Sequence, residues 1–471
     1  MKTIKILLLL ITPLLFFACS EDIMDEINKE RNDALEMSAT SMLPDAIIKT
    51  AFQTAGADMA WYTSVYVELN AGSWNQMYYA DQRINQDAAS TFNNSWNQVY
   101  DVMNICRDII DKTAPDGEEP DNQIARGIAQ VLMAYNLEVA TAMWGEVPYS
   151  EALKGAENLK PVYDRQSDLY QVIQQLLDNA ITTLGQAGSV SLKEDVIYGG
   201  DTDAWIMAAY SLKARYHMRL SQKNTSASSD ALAALANGFA GASDEFQFDA
   251  WEATPTGENP WYQFLFDRTH HSTSQSFYNL LLARNDPRIS SFFTLMGDTA
   301  IVPCPNGGAI QSQGTIYSQS LITTNGRTAP TPLMTYHELL FIKAEAEFRT
   351  GGATWQATLQ QAVEESFAYH GVTGGTDYFT NEVIPQLTAG NELNEILTQK
   401  YIGFYEHEAI EAYNDYRRTG IPTMTNPINA TVGFVNRLPY PVSEVSSNPD
   451  NVPTINIFSD KVWFAGGGEK L

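Results

Sequence analysis

The feature that most constrains the fold is a helical period in the apolar residues, clearest between residues 167 and 185. Apolar side chains recur there at steps of three and one, which places them along one face of an α-helix. The members of this face are Leu169, Val172, Ile173, Leu176, Leu177, Ala180, Ile181 and Leu184. A helix with one apolar face buries that face against another element, so the pattern predicts helix-on-helix packing.

Similar patterns recur along most of the chain. They predict further helices at 44–69, 92–111, 121–144, 203–220, 332–350, 355–369 and 392–418. We expect 121–144 to pair with 167–185, and 332–350 with 355–369, because small residues on their faces let neighbouring helices approach closely. Gly351 and Gly352 follow one of these helices and suit a left-handed C-terminal cap.

Long loops rich in Gly, Pro, Ser, Thr and Asn separate the helices. The sequence predicts them at 70–91, 250–275 and 297–331, with short strands only at 300–302 and 315–317. Structureless loops of this length are usually functional or disordered. We therefore predict a mainly α fold: a tetratricopeptide-like helical-repeat scaffold with long irregular loops and few short strands, forming a single domain over 41–471.

The N-terminus predicts export. Lys2 and Lys5 precede an apolar run at 6–17 that is too short to span a bilayer, as in a secretion signal. Ala18-Cys19 directly follows this run and is typical of a lipoprotein signal, so we expect residues 1–18 to be removed and Cys19 to be lipidated. The alternative is an ordinary signal peptide with a chance cysteine. Residues 19–40 would then form a tether that begins with acidic side chains.

The net charge excludes some partners. The 471 residues carry 29 Lys and Arg against 56 Asp and Glu, a formal charge of −27. Phosphate backbones and anionic membrane surfaces would repel such a body, so we expect no nucleic acid and membrane contact only through the lipid on Cys19. Anionic ligands are disfavoured for the same reason, which favours a neutral one.

Catalytic and metal-binding motifs are missing from the sequence. The stretch His407-Glu408 resembles a zinc-protease helix but lacks the second histidine, so we interpret it as an exposed, charged helix surface. There is no nucleophile elbow, phosphate loop or calcium-loop consensus. Cys106 and Cys304 are expected to be free thiols. We predict a protein that is not an enzyme and uses no metal or cofactor.

Two groups of aromatic and polar residues in the predicted loops suit a sugar. The first group comprises Trp74, Asn75, Tyr78 and Tyr79, and the second comprises Trp261, Arg268 and His270. The apolar face of a sugar ring stacks on an aromatic ring, while planar polar groups hydrogen-bond to its hydroxyls. The alternative is that these tryptophans only pin the loops to the helical core.

Short motifs in a fixed order give the chain a resemblance to a known family. They lie at Trp96–Tyr100, Arg126–Tyr135, Trp144–Tyr149, Trp205–Leu220, Asn285–Ile289, Thr335–Ala346, Gln399–Tyr401, Tyr416–Pro422 and Arg437–Glu444. Behind a lipoprotein signal, this series resembles the SusD/RagB outer-membrane nutrient-binding lipoproteins over nearly all of the mature chain. Arg417 and Arg418 can pair with helix-surface acids and Glu345 can cap or pair within its helix, so these are scaffold motifs.

The resemblance implies a role as well as a fold. A SusD-like protein is expected at the cell surface, anchored by lipid in the outer membrane, where it captures glycan and covers a SusC-like TonB-dependent β-barrel transporter. Two alternatives remain open: a peptide receptor of the same transporter class, or a scaffold that binds only the transporter complex. The ligand residues above come from the loop aromatics, because ligand-binding residues of the family lie on divergent loops.

Overall fold

A computed structural model describes residues 37–314, 316–425 and 427–471. The predicted signal peptide, Cys19 and most of the tether lie outside these residues. Within them, none of the helices combines the length and apolar character that crossing a membrane requires.

The first predicted helix, 44–69, is wrong as a single element. The structure has α1 at Ala39–Lys49, a wide π-helical turn at Thr50–Ala55 and α2 at Asp58–Tyr66. The Thr50 hydroxyl donates to the Ala46 carbonyl at 2.7 Å, a back-bond that commonly bends helices.

Six helices follow, and from α4 onward each packs against the next. They are α3 (Asn75–Asp81), α4 (Asn93–Lys112), α5 (Gln123–Trp144), α6 (Gln166–Ala187), α7 (Thr202–Arg219) and α8 (Ala227–Leu235). The predicted pair α5 and α6 is in extensive contact. A Cβ at Gly127 of α5 would lie 2.4 Å from Leu184 Cγ of α6, so only glycine permits this approach.

Short elements lie within the predicted loops and in the segments beside them, where the sequence predicted no helix. They are α9 (Pro260–Arg268), α10 (Gln275–Ala283), α11 (Ile289–Phe292) and α12 (Ile322–Asn325). The two-stranded antiparallel sheets pair β1 (Asn70–Gly72) with β3 (His271–Thr273), and β2 (Phe246–Phe248) with β4 (Thr331–Met334). The predicted strand at 300–302 is wrong, because Ala300 forms only an isolated bridge with Met296. Residue 315 lies outside the described residues, and 316–317 form no strand.

The second half repeats the pairing. Its helices are α13 (Tyr336–Arg349), α14 (Trp355–Tyr369), α15 (Gly375–Tyr378), α16 (Glu392–Gly403), α17 (Ala409–Thr419) and α18 (Val442–Ser447). The predicted contact between α13 and α14 is confirmed, and Gly351 has φ +74° as expected after α13. Helix α13 begins later than predicted, because Thr335 caps it by accepting from the Glu338 amide at 3.2 Å.

The predicted helix 392–418 is broken at 404–408, which corrects the interpretation of His407-Glu408. These residues form a turn between α16 and α17 and are mostly buried. Glu408 accepts hydrogen bonds from the backbone and hydroxyl of Thr335, and burial lowers the pKa of His407 to about 4. This segment is an internal brace and not an exposed helix surface.

Several motif residues form buried ion pairs between elements. Arg418 of α17 donates to both oxygens of Glu345 of α13, at 2.6 and 2.8 Å, and Arg215 of α7 pairs with Glu338 of α13. Arg418 also pairs with Asp415 of its own helix at 2.9 Å, so it does pair with a helix acid, but its pair with Glu345 is wholly buried. Arg417 pairs with no acid among the described residues; it stacks on Tyr413 at 4.0 Å and donates to Asn414.

The apolar core follows the helix pairs through the molecule. Cys106 and Cys304 are both buried free thiols, as predicted. Burial raises the pKa of each thiol, which keeps both protonated.

Candidate ligand-binding face

Strand pairing brings the two predicted aromatic groups together. In the β1–β3 pair, Gly72 faces His271. The amides of Ser73 and Trp74 both donate to the His270 carbonyl, at 2.9 and 3.3 Å. The Trp74 group therefore begins directly beside the segment that carries Arg268 and His270.

The third long loop, predicted at 297–331, is hydrogen-bonded to the same two segments. The Cys304 amide donates to the Thr273 carbonyl at 2.8 Å, and the Thr273 amide donates to the Ser318 carbonyl at 2.8 Å. The Ser312 amide also reaches the Ser73 carbonyl, at 3.0 Å. Residues 70–91, 260–275, 300–314 and 316–319 thus form one surface, which we call the loop face.

The buried Asp81 side chain links two of these loops through hydrogen bonds. Its Oδ2 accepts from the Gly72 amide at 3.1 Å and from the Gly307 amide at 2.8 Å. The side chain is fully buried and its Oδ1 has no hydrogen-bond partner among the described atoms. Burial raises the pKa of Asp81 to about 7, although the two amide hydrogen bonds act in the opposite direction.

The first predicted group is accessible on this face. Asn75 starts α3 with φ +45° and is exposed, while Trp74 and Tyr78 are half-buried. Tyr79 has 44% of its surface exposed and meets Tyr78 edge-on, with ring centroids 5.6 Å apart. These rings are placed to contact a ligand that lies on the loop face.

Trp261 and His270, in contrast, belong to the core. Trp261 is 1% exposed and packs beside His271, so its indole has no free face for a sugar ring. His270 is 3% exposed, and burial, with a smaller contribution from Arg268, lowers its pKa to about 4. For Trp261 the structure matches the alternative, in which the ring pins a loop to the core.

Arg268 is exposed at the end of α9. It lines a shallow depression of about 350 Å³ together with Gln76 of α3 and with Asp58, Trp61, Gln263, Phe264 and Asp267. Gln313 of the third loop donates to the Arg268 carbonyl at 3.0 Å. The depression therefore joins Arg268 of the second predicted group to Gln76, which lies next to Asn75 of the first group.

A larger cavity, which the sequence did not reveal, opens beside the loop face. Its volume is about 460 Å³, within the range of roughly 300–1,000 Å³ that small-molecule sites occupy. The lining residues are Glu68, Gln275, Ser276, Phe277, Asn279, Leu280, Asn306, Tyr401, Pro422, Thr423, Met424, Thr425 and Ile428. We call it the loop cavity. Its walls come from segments far apart in the chain, so no local pattern could have predicted it.

Metal-ligating side chains are not clustered in the part of the chain that the structure describes. No group of three or more His, Cys, Asp or Glu side chains there is arranged to hold a metal ion. The accessible side chains of the two predicted groups are the rings of Trp74, Tyr78 and Tyr79, the amide of Asn75 and the guanidinium of Arg268.

Comparisons with known proteins agree with this picture. Residues 31–441 match the family model SusD-like_2, described as "Starch-binding associating with outer membrane". The match covers most of the chain, so the protein belongs to the SusD-like family. No curated protein matches the chain.

Solved structures with the same fold include other family members. A SusD/RagB family protein from Bacteroides thetaiotaomicron VPI-5482 is 33% identical with a TM-score of 0.83, covering 92% of this chain and 100% of its own. A structure titled as a chitin-binding protein is 24% identical with a TM-score of 0.76, covering 91% and 100%. A chitin-binding SusD homolog from Flavobacterium johnsoniae is 20% identical with a TM-score of 0.75, covering 92% and 98%. The last two show the fold alone.

Proposed function

We propose that this protein captures an oligosaccharide or polysaccharide on its loop face and delivers it to a SusC-like TonB-dependent transporter. The observation that carries the proposal is the convergence of three loops beside the loop cavity, with Trp74, Tyr78 and Tyr79 accessible next to them. The description of the family, "Starch-binding associating with outer membrane", supports a glycan as the ligand class.

The proposed contacts follow from the geometry of the accessible residues. Trp74, Tyr78 and Tyr79 offer ring surface to sugar faces, while Asn75 and Arg268 offer hydrogen bonds to hydroxyls. Trp261 and His270 are left out because they are buried. Capture involves no bond breaking, so the protein acts as a receptor and not as an enzyme.

The proposed location extends the family's association with the outer membrane. Cleavage after residue 18, lipidation of Cys19 and a tether at 19–40 would hold the 41–471 domain at the cell surface. Two or more acyl chains give stable anchoring where one does not. A membrane-tethered receptor can lie over a transporter and release ligand into it.

The test uses a soluble form that starts after Cys19, run on native gels cast with plant, host-mucin and microbial polysaccharides. We expect retardation by one class of glycan. Trp74→Ala and Tyr79→Ala should each weaken binding roughly tenfold, the equivalent of ~1.4 kcal/mol. Trp355→Ala is the matched control, because Trp355 is a partly exposed tryptophan on α14, in the helical scaffold.

Three other results would change the proposal. Retardation that survives both loop variants would keep glycan capture but move the site elsewhere. Binding of a peptide mixture with no retardation by any glycan would support the peptide receptor. Binding of the transporter alone would support the scaffold.

A further inference from the structure

The loop cavity contains a carboxylate in an unusual backbone setting. Glu68 lies between α2 and β1 with φ +59°, a left-handed conformation that favours glycine or asparagine. A strained non-glycine residue persists only where the surrounding structure holds it, and such residues cluster at ligand sites. Tyr401, another wall of the cavity, donates to the adjacent Val67 carbonyl at 2.7 Å and so braces this turn.

Glu68 is buried without a cation. It is 2% exposed, and no Lys, Arg or His forms an ion pair with it among the described residues. The nearby Arg83 is occupied elsewhere: it donates to the Ala80 carbonyl at 2.7 Å and the Tyr66 carbonyl at 3.1 Å. Burial raises the pKa of Glu68, while hydrogen bonds from Ser276 and Thr425 and the charge of Arg83 limit the shift.

The carboxylate keeps capacity for a further donor. Thr425 Oγ1 donates to Glu68 Oε2 at 2.8 Å, and Ser276 supplies a second hydrogen bond. The backbone amide of Thr425 supplies a third hydrogen bond. An ionised carboxylate offers about four acceptor positions, so one remains for a ligand. Thr425 is exposed and lies at the mouth of the cavity, which gives a route to the carboxylate.

The rest of the lining offers both apolar contact surface and uncharged polar groups. Phe277, Leu280 and Met424 give apolar walls, and Glu68 is the one charged residue in the lining. Asn306 is 7% exposed; its Oδ1 accepts from Ser274 and Ser276, while its Nδ2 has no partner among the described atoms. The cavity thus combines a negative charge with an amide that has a spare donor.

We propose that the loop cavity is a subsite for a sugar unit that carries a protonated amine, with Glu68 binding the ammonium group. This inference rests on the proposed glycan-binding function and replaces the expected neutral ligand with an amine-bearing one. A buried carboxylate is stabilised by a cation that also donates hydrogen bonds. The acidic body, with its formal charge of −27, attracts such a ligand and repels uronic or sulfated glycans.

The test compares three β-1,4-linked hexasaccharides that differ only at carbon 2: glucose with a hydroxyl, glucosamine with an ammonium and N-acetylglucosamine with an amide. Binding to the soluble protein is measured by calorimetry at a pH where the amine is protonated. We expect the glucosamine hexamer to bind about 10- to 100-fold more tightly than the glucose hexamer, as for a charge-assisted hydrogen bond.

The variant Glu68→Gln tests whether the carboxylate causes the preference for the glucosamine hexamer. Glu68→Gln should remove the preference for glucosamine over glucose, so that the ratio of the two affinities falls to within about twofold of one. Glu157→Gln is the matched control, because Glu157 is exposed in a short 3₁₀ turn outside the loop face. The ligand series itself needs no variant, so it remains decisive even if Glu68→Gln does not fold.

The outcomes separate the inference from the proposed function. Equal affinity for the glucose and glucosamine hexamers, or a tighter N-acetylglucosamine hexamer, would overturn the amine subsite while glycan capture stands. Binding of no glycan in a full panel would overturn the proposed function itself. Binding of a peptide through a free N-terminal amine, with no sugar bound, would overturn both and favour the peptide receptor.

Discussion

The helical scaffold and the loop face treat buried charge in opposite ways. In the scaffold, the guanidinium of Arg418 meets Glu345 and that of Arg215 meets Glu338, with all four side chains buried. On and beside the loop face, Asp81 and Glu68 are buried carboxylates with no ion-pair partner among the described residues.

The pKa of Glu345 shifts in the opposite direction to the pKa values of Asp81 and Glu68. Burial alone would raise the pKa of Glu345, but Arg418 and Arg349 hold it below its usual value. The pKa values of Asp81 and Glu68 are raised by the same burial, because Arg83 forms no ion pair with either carboxylate and its charge offsets the burial only in part. Buried charge therefore holds helices together in the scaffold, whereas the two carboxylates at the loops have a raised pKa and bind a proton more readily.

The largest effect should come from breaking a scaffold pair. Arg418→Ala leaves Glu345 buried without its main partner, and removing one member of a buried pair typically costs ~3–5 kcal/mol. Arg349 also pairs with Glu345 but is partly exposed, so Arg349→Ala should cost below ~1 kcal/mol. Chemical denaturation measures the free energy of unfolding of both variants. Equal decreases would contradict a larger contribution from the buried pair than from the partly exposed one.

A smaller effect should come from the closest helix contact. Gly127→Val forces side-chain atoms against Leu184, and overpacking of this kind typically costs ~1–3 kcal/mol. Gly185 of α6 has open space around it, so Gly185→Ala should stabilise by ~0.5–1 kcal/mol through helix propensity. Thermal unfolding should show a lower midpoint for Gly127→Val and a higher one for Gly185→Ala. A stabilising Gly127→Val would contradict close packing of Gly127 against Leu184.

The smallest effect concerns Asp81 and pH. Its pKa rises from 3.8 in the unfolded chain to about 7 in the folded one, so the folded state holds the extra proton between these values. The free energy of unfolding therefore falls as pH rises through this window, by about 1 kcal/mol between pH 6 and pH 8. Asp81→Asn should remove this part of the slope in denaturation curves; an unchanged slope would contradict a protonated Asp81.

The scaffold could be predicted because its signals are local. The face at 167–185 and the Gly351 cap need only neighbouring residues, and the structure has both. The errors arose where contacts from other elements decide the backbone. The turn at 404–408 interrupts a helical pattern because Glu408 is bonded to Thr335, far away in the sequence.

The residues before Trp261 predict that it lies at the start of a helix and not in a loop. Asn259-Pro260 is an N-cap followed by proline at the first helical position, and the Asn259 Oδ1 accepts from the Trp261 amide at 2.9 Å. The pair predicts a helix start, which turns Trp261 inward. The loop cavity had no such signal, since Glu68, Asn306 and Thr425 meet only in the folded chain.

The most direct test of the central claim is hydrogen exchange of the soluble protein with and without the glycan that retards it. The account predicts slower exchange in peptides from the loop face and around the loop cavity, with no change in α5, α6 and α14. Protection of the scaffold helices alone, with the three loops unaffected by bound glycan, would contradict the assignment of ligand capture to the loop face.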